Sequence, residues 1–276
     1  MKLSIITINY NNCEGLKKTI DSVLAQTWRD FEWIIIDGGS TDGSKEAIEK
    51  VATNPIANIS FWCSEPDKGI YNAMNKGIKK ANGEYCFFLN SGDYLINNNS
   101  LKKAFAFNFT EDVVWGYLKM DYGDHFEFAT RREEITLQTF IEDTVNHTGN
   151  VFIKRHLFNE NSYGLYDENL RIVSDWKWFL QVLGLGTATG RFIDIVMSVV
   201  DGAGISCTQP SLLKQERTMV LNKVVPERIL KYYNETQNLI SSYQRTLKSS
   251  KRLSKLSFKI LLKAIVYKLL PFKHSK

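Results

Sequence analysis

The sequence predicts an α/β protein with a mostly parallel central sheet flanked by helices, and three observations carry the prediction. Apolar, β-branched runs of strand length alternate with stretches whose apolar residues recur at helical spacing, the pattern of right-handed βαβ units. Each of the first four runs stops at a polar loop: at Asn9, at Asp37, at Glu65 and Asp67, and at Asn90 and Asp93. The stretch 64–93 shows the plan in miniature, reading acidic loop, amphipathic helix, buried strand, acidic loop. In open parallel sheets such loops emerge at the carboxyl ends of the strands, the edge where ligands bind.

Taken in order, residues 3–8 are the first strand. Asn9-Tyr10-Asn11-Asn12 breaks it and caps a helix with Leu16, Ile20, Val23 and Leu24 on one face. Residues 33–36 repeat the strand, then the loop Asp37-Gly38-Gly39-Ser40-Thr41-Asp42-Gly43-Ser44 leads into a helix with Ala47, Ile48 and Val51 inward. A third strand lies near residues 59–63. The helix after it aligns Ile70, Met74, Ile78 and Ala81, and residues 85–89 are apolar enough for a strand covered on both sides. After Asp93 the alternation loosens. A strand is expected at 113–120, a short helix at 136–143, the loop His147-Thr148-Gly149-Asn150, a strand at 151–154, a helix through 174–180, and a strand at 192–200 ending in a Gly-rich loop, 201–206. With no repeat and no linker between them, residues 1–110 and 111–210 are read as two halves of one domain, and 211–276 as a helical extension.

A chain of 276 residues, 43% of them hydrophobic, can bury a sizeable core. Its net charge of +5 is misleading, because residues 236–276 hold ten Lys/Arg and no Asp or Glu. The remaining 235 residues carry 25 basic against 30 acidic side chains, so the body is mildly acidic and no nucleic-acid partner is expected. Cys13, Cys63, Cys86 and Cys207 are widely spaced with no CxxC pair, which suits reduced thiols in a cytoplasmic compartment. The apolar run 3–8 is too short for a signal-peptide core, so export is not expected.

In the tail, Lys251, Lys255, Lys259 and Lys263 recur every fourth residue, with Leu256, Ile260, Leu261, Ala264, Ile265, Leu269 and Leu270 between them. A helix over 252–270 would be roughly 28 Å long, nearly enough to cross a bilayer. Burying Lys259, Lys263 and Lys268 near the centre would cost about 3 kcal/mol each, against a gain of roughly 5 kcal/mol from the apolar side chains. Lying in the interface, lysines toward anionic headgroups, avoids that cost. The expectation is peripheral association with the inner face of the cytoplasmic membrane through residues 248–276; docking on the protein's own body or on a partner is the alternative.

The residues Ser4-Ile5-Ile6-Thr7-Ile8-Asn9-Tyr10-Asn11, Ile36-Asp37-Gly38-Gly39-Ser40-Thr41-Asp42-Gly43, Ser64-Glu65-Pro66-Asp67-Lys68-Gly69-Ile70-Tyr71-Asn72-Ala73-Met74-Asn75, Phe88-Leu89-Asn90-Ser91-Gly92-Asp93, His147-Thr148-Gly149 and Ser174-Asp175-Trp176 follow one another at predicted strand ends. In this order they resemble the family 2 glycosyltransferases of the bacterial surface-polysaccharide type, over about residues 1–206. The resemblance implies the A-type nucleotide-sugar fold, with a Rossmann-like sheet. It also implies an inverting transfer of a sugar from a nucleoside diphosphate donor, expected to be a UDP-sugar, to a hydroxyl of a glycan or lipid-linked glycan.

That chemistry has three needs. The diphosphate must be held and its departure stabilised, which a divalent cation, Mg²⁺ or Mn²⁺, supplies. Asp93 is the implied ligand, with His147 as a second ligand or an acceptor contact; the family usually has an acidic pair or triplet here, whereas this chain places Asn90-Ser91-Gly92 before a single Asp93. The donor's base and ribose must be recognised, which the resemblance assigns to Asp37 and Asp67, with Thr7, Asn9, Glu65, Lys68, Asn90 and Ser91 as neighbours. An acceptor hydroxyl needs a base opposite the leaving group, and Asp175 is the candidate, with Trp176 beside it as an aromatic surface for the acceptor. Each assignment has a structural alternative: Asp37 as a turn and helix cap, Asp93 as a cap of its turn, Asp175 as a helix cap, Trp176 as core. A nucleotide-dependent oxidoreductase is disfavoured because no G-x-G-x-x-G follows the first strand. A non-catalytic scaffold that kept the fold is the other competing reading.

Overall fold

A computed structural model describes residues 1–129, 133–143, 148–202, 204 and 208–249. His147 and the tail from residue 250 lie outside the described residues. The chain divides into two compact units, Met1–Thr218 and Met219–Lys276.

In the first unit the nine strands among the described residues form a single sheet. They are β1 (Leu3–Asn9), β2 (Phe31–Asp37), β3 (Ile59–Ser64), β4 (Tyr85–Phe88), β5 (Tyr94–Leu95), β6 (Val113–Asp121), β7 (Phe126–Phe128), β8 (Val151–Lys154) and β9 (Gly190–Asp201). The order is β3-β2-β1-β4-β8-β6-β9-β5, with β7 paired to β6. The four strands of the first half are parallel throughout, joined by α1 (Cys13–Leu24), α2 (Ser44–Ala52) and α3 (Ile70–Lys80). This is the alternation expected from the sequence. The second half is mixed: β8 runs antiparallel to both β4 and β6, β5 is antiparallel to β9, and β6 and β9 are parallel. The mostly parallel description therefore holds for the first half, and the second half makes the whole sheet mixed.

Burial explains the strands' composition. All seven residues of β1 and of β2 are buried, so both faces are covered. Leu3, Ile5, Trp33 and Ile35 join Leu16, Ile20 and Val23 of α1 and Ile48 and Val51 of α2 in one core. Each large apolar side chain so buried contributes about 1.5–3 kcal/mol. On α3, Met74 and Ile78 are buried as the spacing predicts, and so are Tyr71 and Asn75. Gly77 lets this helix sit against β1, since a Cβ there would come within 2.5 Å of Ile6 Cγ2.

Three short elements have no counterpart in the sequence reading: β5, β7 and α4 (Ser100–Phe105). α5 (Leu137–Glu142) and α6 (Ser174–Phe179) match expected helices, and α6 continues into a π-helical turn, Leu180–Gly184. α7 (Pro210–Val224) closes the first unit and opens the second, where α8 (Glu227–Ser249) follows. Among the described residues no helix is long and apolar enough to cross a membrane.

Candidate active site

The carboxyl ends of β1, β2 and β3 lie side by side, with Asn9 paired to Asp37 and Asp37 to Ser64. Their side chains form one network centred on the Asp37 carboxylate. Oδ1 accepts from Asn9 Nδ2 at 2.7 Å and Ser40 Oγ at 2.5 Å; Oδ2 accepts from Ser64 Oγ at 2.6 Å and the Ser40 backbone N–H at 3.0 Å. Burial alone would raise this carboxyl, but the hydrogen bonds from Ser40, Ser64 and Asn9 outweigh it and hold it below the usual carboxylate range. Asp37 is 0% exposed. Its two oxygens accept from four internal donors, which brace the loop.

The neighbouring loops interlock with that network. Asn11 accepts from the Thr41 N–H at 2.9 Å and its own N–H reaches Ser40 Oγ at 2.8 Å. Asn12 caps α1 and donates to Ser91 O at 3.1 Å, tying the β1 loop to the β4 loop. Asp67 comes to the same place because Gly38 has no side chain: a Cβ there would lie 2.7 Å from Asp67 Oδ2 and 3.1 Å from Tyr10 Cδ2. Asp67 is half-buried and closes its own turn by accepting from the Gly69 N–H at 2.8 Å. Beside it Tyr10, 66% exposed, presents an aromatic face to solvent. Glu65 and Lys68 are exposed, and Glu65 pairs with Lys76 at 2.8 Å.

At the end of β4 the turn Asn90-Ser91-Gly92-Asp93 is held from below by Thr19 of α1, whose hydroxyl lies 2.7 Å from Asp93 O and 3.2 Å from Asn90 O. Ser91 N–H continues the ladder to Ile8 O at 3.0 Å. Asp93, 4% exposed, accepts from the Asp201 N–H at 3.2 Å, and the Asp201 carboxylate lies against Gly92. The end of β9 thus lies on the turn that carries Asp93. Among the described residues no three His, Cys, Asp or Glu side chains cluster as a ready-made metal cage.

Asp175 stands in the first turn of α6 and is tied to α3: Tyr71 Oη donates to its Oδ1 at 2.6 Å. Since Tyr71 lies four residues after Asp67, the same short helix carries the donor-side loop and contacts the candidate base. Burial first, and the Asp175 charge second, push the Tyr71 phenol well above its usual value, so it remains a proton donor. The backbone before α6 is fixed from α7, where Glu216 accepts from the Arg171 N–H at 2.8 Å and the Ile172 N–H at 2.9 Å.

Two of the residues assigned from the sequence lie enclosed. Thr7 is fully buried and its hydroxyl accepts from the Trp33 indole at 2.9 Å, which packs it against β2. Trp176, 3% exposed, donates to Asp143 O at 3.2 Å and carries the Arg217 guanidinium over its ring. The loop Thr148-Gly149-Asn150 is locked to β4, β6 and β9: Gly149 N–H reaches Phe88 O, Asn150 Nδ2 reaches Gly116 O, and Ser198 Oγ reaches Gly149 O. A Cβ on Gly149, at φ +73°, would fall 2.3 Å from Ser198 Oγ. The sequence reading missed Thr19, Tyr71 and Glu216. Tyr71 stood inside a quoted motif, whereas a lone Thr on a helix and a Glu 41 residues beyond Asp175 have no local signature.

Known proteins resemble this chain in sequence and in fold. The model of glycosyl transferase family 2 matches residues 4–162, more than half of the chain. An uncharacterised glycosyltransferase of Mycobacterium tuberculosis is 42% identical over 92 residues, covering 33% of this chain and 34% of its own, so the match spans about a third of that relative. A PGL/p-HBAD biosynthesis glycosyltransferase of Mycobacterium bovis is 27% identical over 203 residues, covering 71% of this chain and 75% of its own. Staphylococcus aureus TarS bound to UDP-GlcNAc superposes with a TM-score of 0.65 at 19% identity, over 84% of this chain and 70% of that one. The mannosyltransferase PcManGT of Pyrobaculum calidifontis, in complex with GDP-Man and Mn²⁺, gives 0.61 at 16% identity, over 98% of this chain and 81% of that one. These likenesses fix the fold as the A-type glycosyltransferase fold. On the strength of the match to its first three-fifths, the chain belongs to glycosyl transferase family 2.

Proposed function

We propose that this chain is an inverting glycosyltransferase that moves a sugar from a nucleoside diphosphate donor, a UDP-sugar, to a hydroxyl of a glycan or lipid-linked glycan. The observation that carries the reading is the joining of Asp175 to the Asp67 loop through α3, at the edge where the β1, β2 and β4 loops meet. The donor lies along that edge, its base end near Tyr10, Asp67 and Lys68 and its diphosphate end near Asn90, Ser91 and Asp93. Asp37 and Asn9 act one layer below, holding the loops that touch the donor. In the single displacement the acceptor O–H gives its proton to Asp175, its oxygen bonds to the anomeric carbon, and the sugar–diphosphate bond breaks with its electron pair on phosphate. Asp175 is half-buried and its carboxylate is held by the Tyr71 phenol, which suits that task.

The donor set at the diphosphate end fits a hard divalent cation bound mainly by the substrate: Asp93, with the Asp201 carboxylate beside Gly92, offers oxygen ligands of the kind Mg²⁺ and Mn²⁺ accept. Bound there, the ion would neutralise charge on the departing diphosphate. His147 remains a proposed ligand or acceptor contact. Residues 248–276 are proposed to lie on an anionic membrane surface at the cytoplasmic face, as their lysine periodicity suggests.

The test measures nucleoside diphosphate release from a panel of UDP- and GDP-sugars with Mn²⁺ or with EDTA, alongside Asp175→Asn. Transfer that stops in the variant while UDP binding stays within about twofold supports the base assignment. Equal loss of UDP affinity would overturn it, and no turnover of any donor by the unaltered chain would favour the scaffold reading.

A further inference from the structure

We propose that Tyr71 is a positioning residue for Asp175, holding one carboxylate oxygen in place and receiving no proton itself. The inference rests on the reading of Asp175 as the base. Tyr71 is 4% exposed, and its hydroxyl oxygen lies 2.6 Å from Asp175 Oδ1 and 2.6 Å from Ile172 O. A phenol has one proton and here two acceptors. While Asp175 is charged, the carboxylate draws that proton, because a hydrogen bond to an ion is roughly twice as strong as one between neutral groups. Once Asp175 has taken the acceptor's proton the preference vanishes, and the phenolic O–H turns to the Ile172 carbonyl. The acceptor O–H bond breaks, an O–H bond forms on the carboxyl group, and Tyr71 keeps its own proton throughout, so only a hydrogen changes direction.

Groups other than this hydroxyl also hold the backbone before Asp175. Glu216 binds the Arg171 and Ile172 N–H groups. Asn75, three-quarters of a turn further along α3 from Asn72, clamps Tyr166 through both its N–H and its C=O at 3.0 and 2.9 Å. Asn72 and Asn75 both donate to Glu168, and Lys177 pairs with Asp167 at 2.6 Å. With the main chain anchored at 166–172 by other groups, what the Tyr71 hydroxyl adds is the orientation of the Asp175 side chain. Tyr71, Asn72 and Asn75 are thus the residues of α3 that tie the helix after the Asp67 loop to the segment 166–175.

The experiment compares Tyr71→Phe and Asp175→Asn with the unaltered full chain. Phenylalanine keeps the ring and its tilted contact with Tyr166, 5.8 Å between centroids. Tyr71→Phe should lower kcat by roughly 10- to 100-fold, leaving the acceptor KM, the Kd for UDP with Mn²⁺ and the melting temperature close to those of the parent; its crystal structure should show the Asp175 carboxylate turned away from its place. Unchanged kcat, or a carboxylate that stays put, overturns the proposal, as does a fall in kcat matched by equal losses of UDP affinity and melting temperature. If Asp175→Asn still transfers, the base assignment fails whatever Tyr71 does. If Asp175→Asn is inactive and Tyr71→Phe is not, the positioning role alone fails. Should no donor be turned over, the orientation of Asp175 in the Tyr71→Phe crystal structure still decides.

Discussion

Asp37 is where the bracing account can be tested hardest. In Asp37→Ala the Ser40 and Ser64 hydroxyls can rotate to other acceptors, but the Ser40 backbone N–H loses the oxygen it points at inside a buried site and Asn9 Nδ2 keeps only its longer bond to Ser40 Oγ at 3.2 Å. At about 1–3 kcal/mol for the stranded N–H, plus the weakened Asn9 bond and the space left behind, the loss should come to about 3–5 kcal/mol. Asp37→Asn is a milder change. Its new amide group can face Asn9 if the Asn9 side chain turns over, because Asn9 Oδ1 is at present buried without a partner. The other oxygen keeps its bonds from Ser64 and Ser40, so weakening charged bonds to neutral ones should cost about 1–2 kcal/mol. Urea unfolding followed by tryptophan fluorescence at pH 7 measures both. Because the folded-state carboxyl is held below its ordinary value, its stabilisation is complete above an unfolded pKa of about 3.9 and is lost as pH falls through the folded value. The acid limb of the parent's stability curve should accordingly flatten in Asp37→Asn. Equal destabilisation by Ala and Asn would refute the network as drawn. Full stability with UDP binding abolished in Asp37→Asn would mean that the carboxylate touches the nucleotide directly.

Trp176→Ala should cost about 3–5 kcal/mol in unfolding free energy and leave the acceptor KM unchanged, since the indole is enclosed by Asp143 and Arg217; a raised KM at parental stability would put the ring against the acceptor. Deleting residues 248–276 should abolish sedimentation with vesicles containing anionic lipid while activity on a soluble acceptor persists. A full-length chain that ignores such vesicles in low salt ends the membrane proposal.

The first four strands were legible because their signal is local. In β1 and β2 every residue is buried, so each reads as a mainly apolar run broken only by Ser4 and Thr7 or by Glu32, and the Asn or Asp that stops it marks the strand end within a residue. The second half was less legible for the opposite reason. β5 and β7 are two and three residues long, too short to show a period, and exist only because β9 and β6 supply partners. The antiparallel placement of β8 between β4 and β6 is a choice of partner, which strand composition does not encode. At the site, polarity at strand ends identified the right edge but not which side chains face outward. Thr7 sits on the same face of β1 as Leu3 and Ile5, and because both faces of that strand are covered its burial follows from its place in the sheet and has no local signature.

The polar residues at this edge are of two kinds, and the distinction explains why a motif search finds more candidates than a ligand can touch. A crevice built at the ends of parallel strands exposes the termini of several loops that have no ladder to hold them. Those loops keep their shape only if their backbone groups find side-chain partners. Asn9, Asp37, Ser40, Asn11, Asn12 and Thr19 serve as those partners, each bonded to a neighbouring loop within 3.2 Å. In the proposed reading, contact with the donor's base end would fall to the residues that project past this layer, Tyr10, Lys68 and the half-buried Asp67. A carboxylate in the supporting layer acts by rigidity, because the loop it braces cannot drift by the ångström that would misalign a donor from Asp175. Substitutions in the two layers should therefore separate cleanly, with the supporting layer losing stability and affinity together and the projecting layer losing affinity alone.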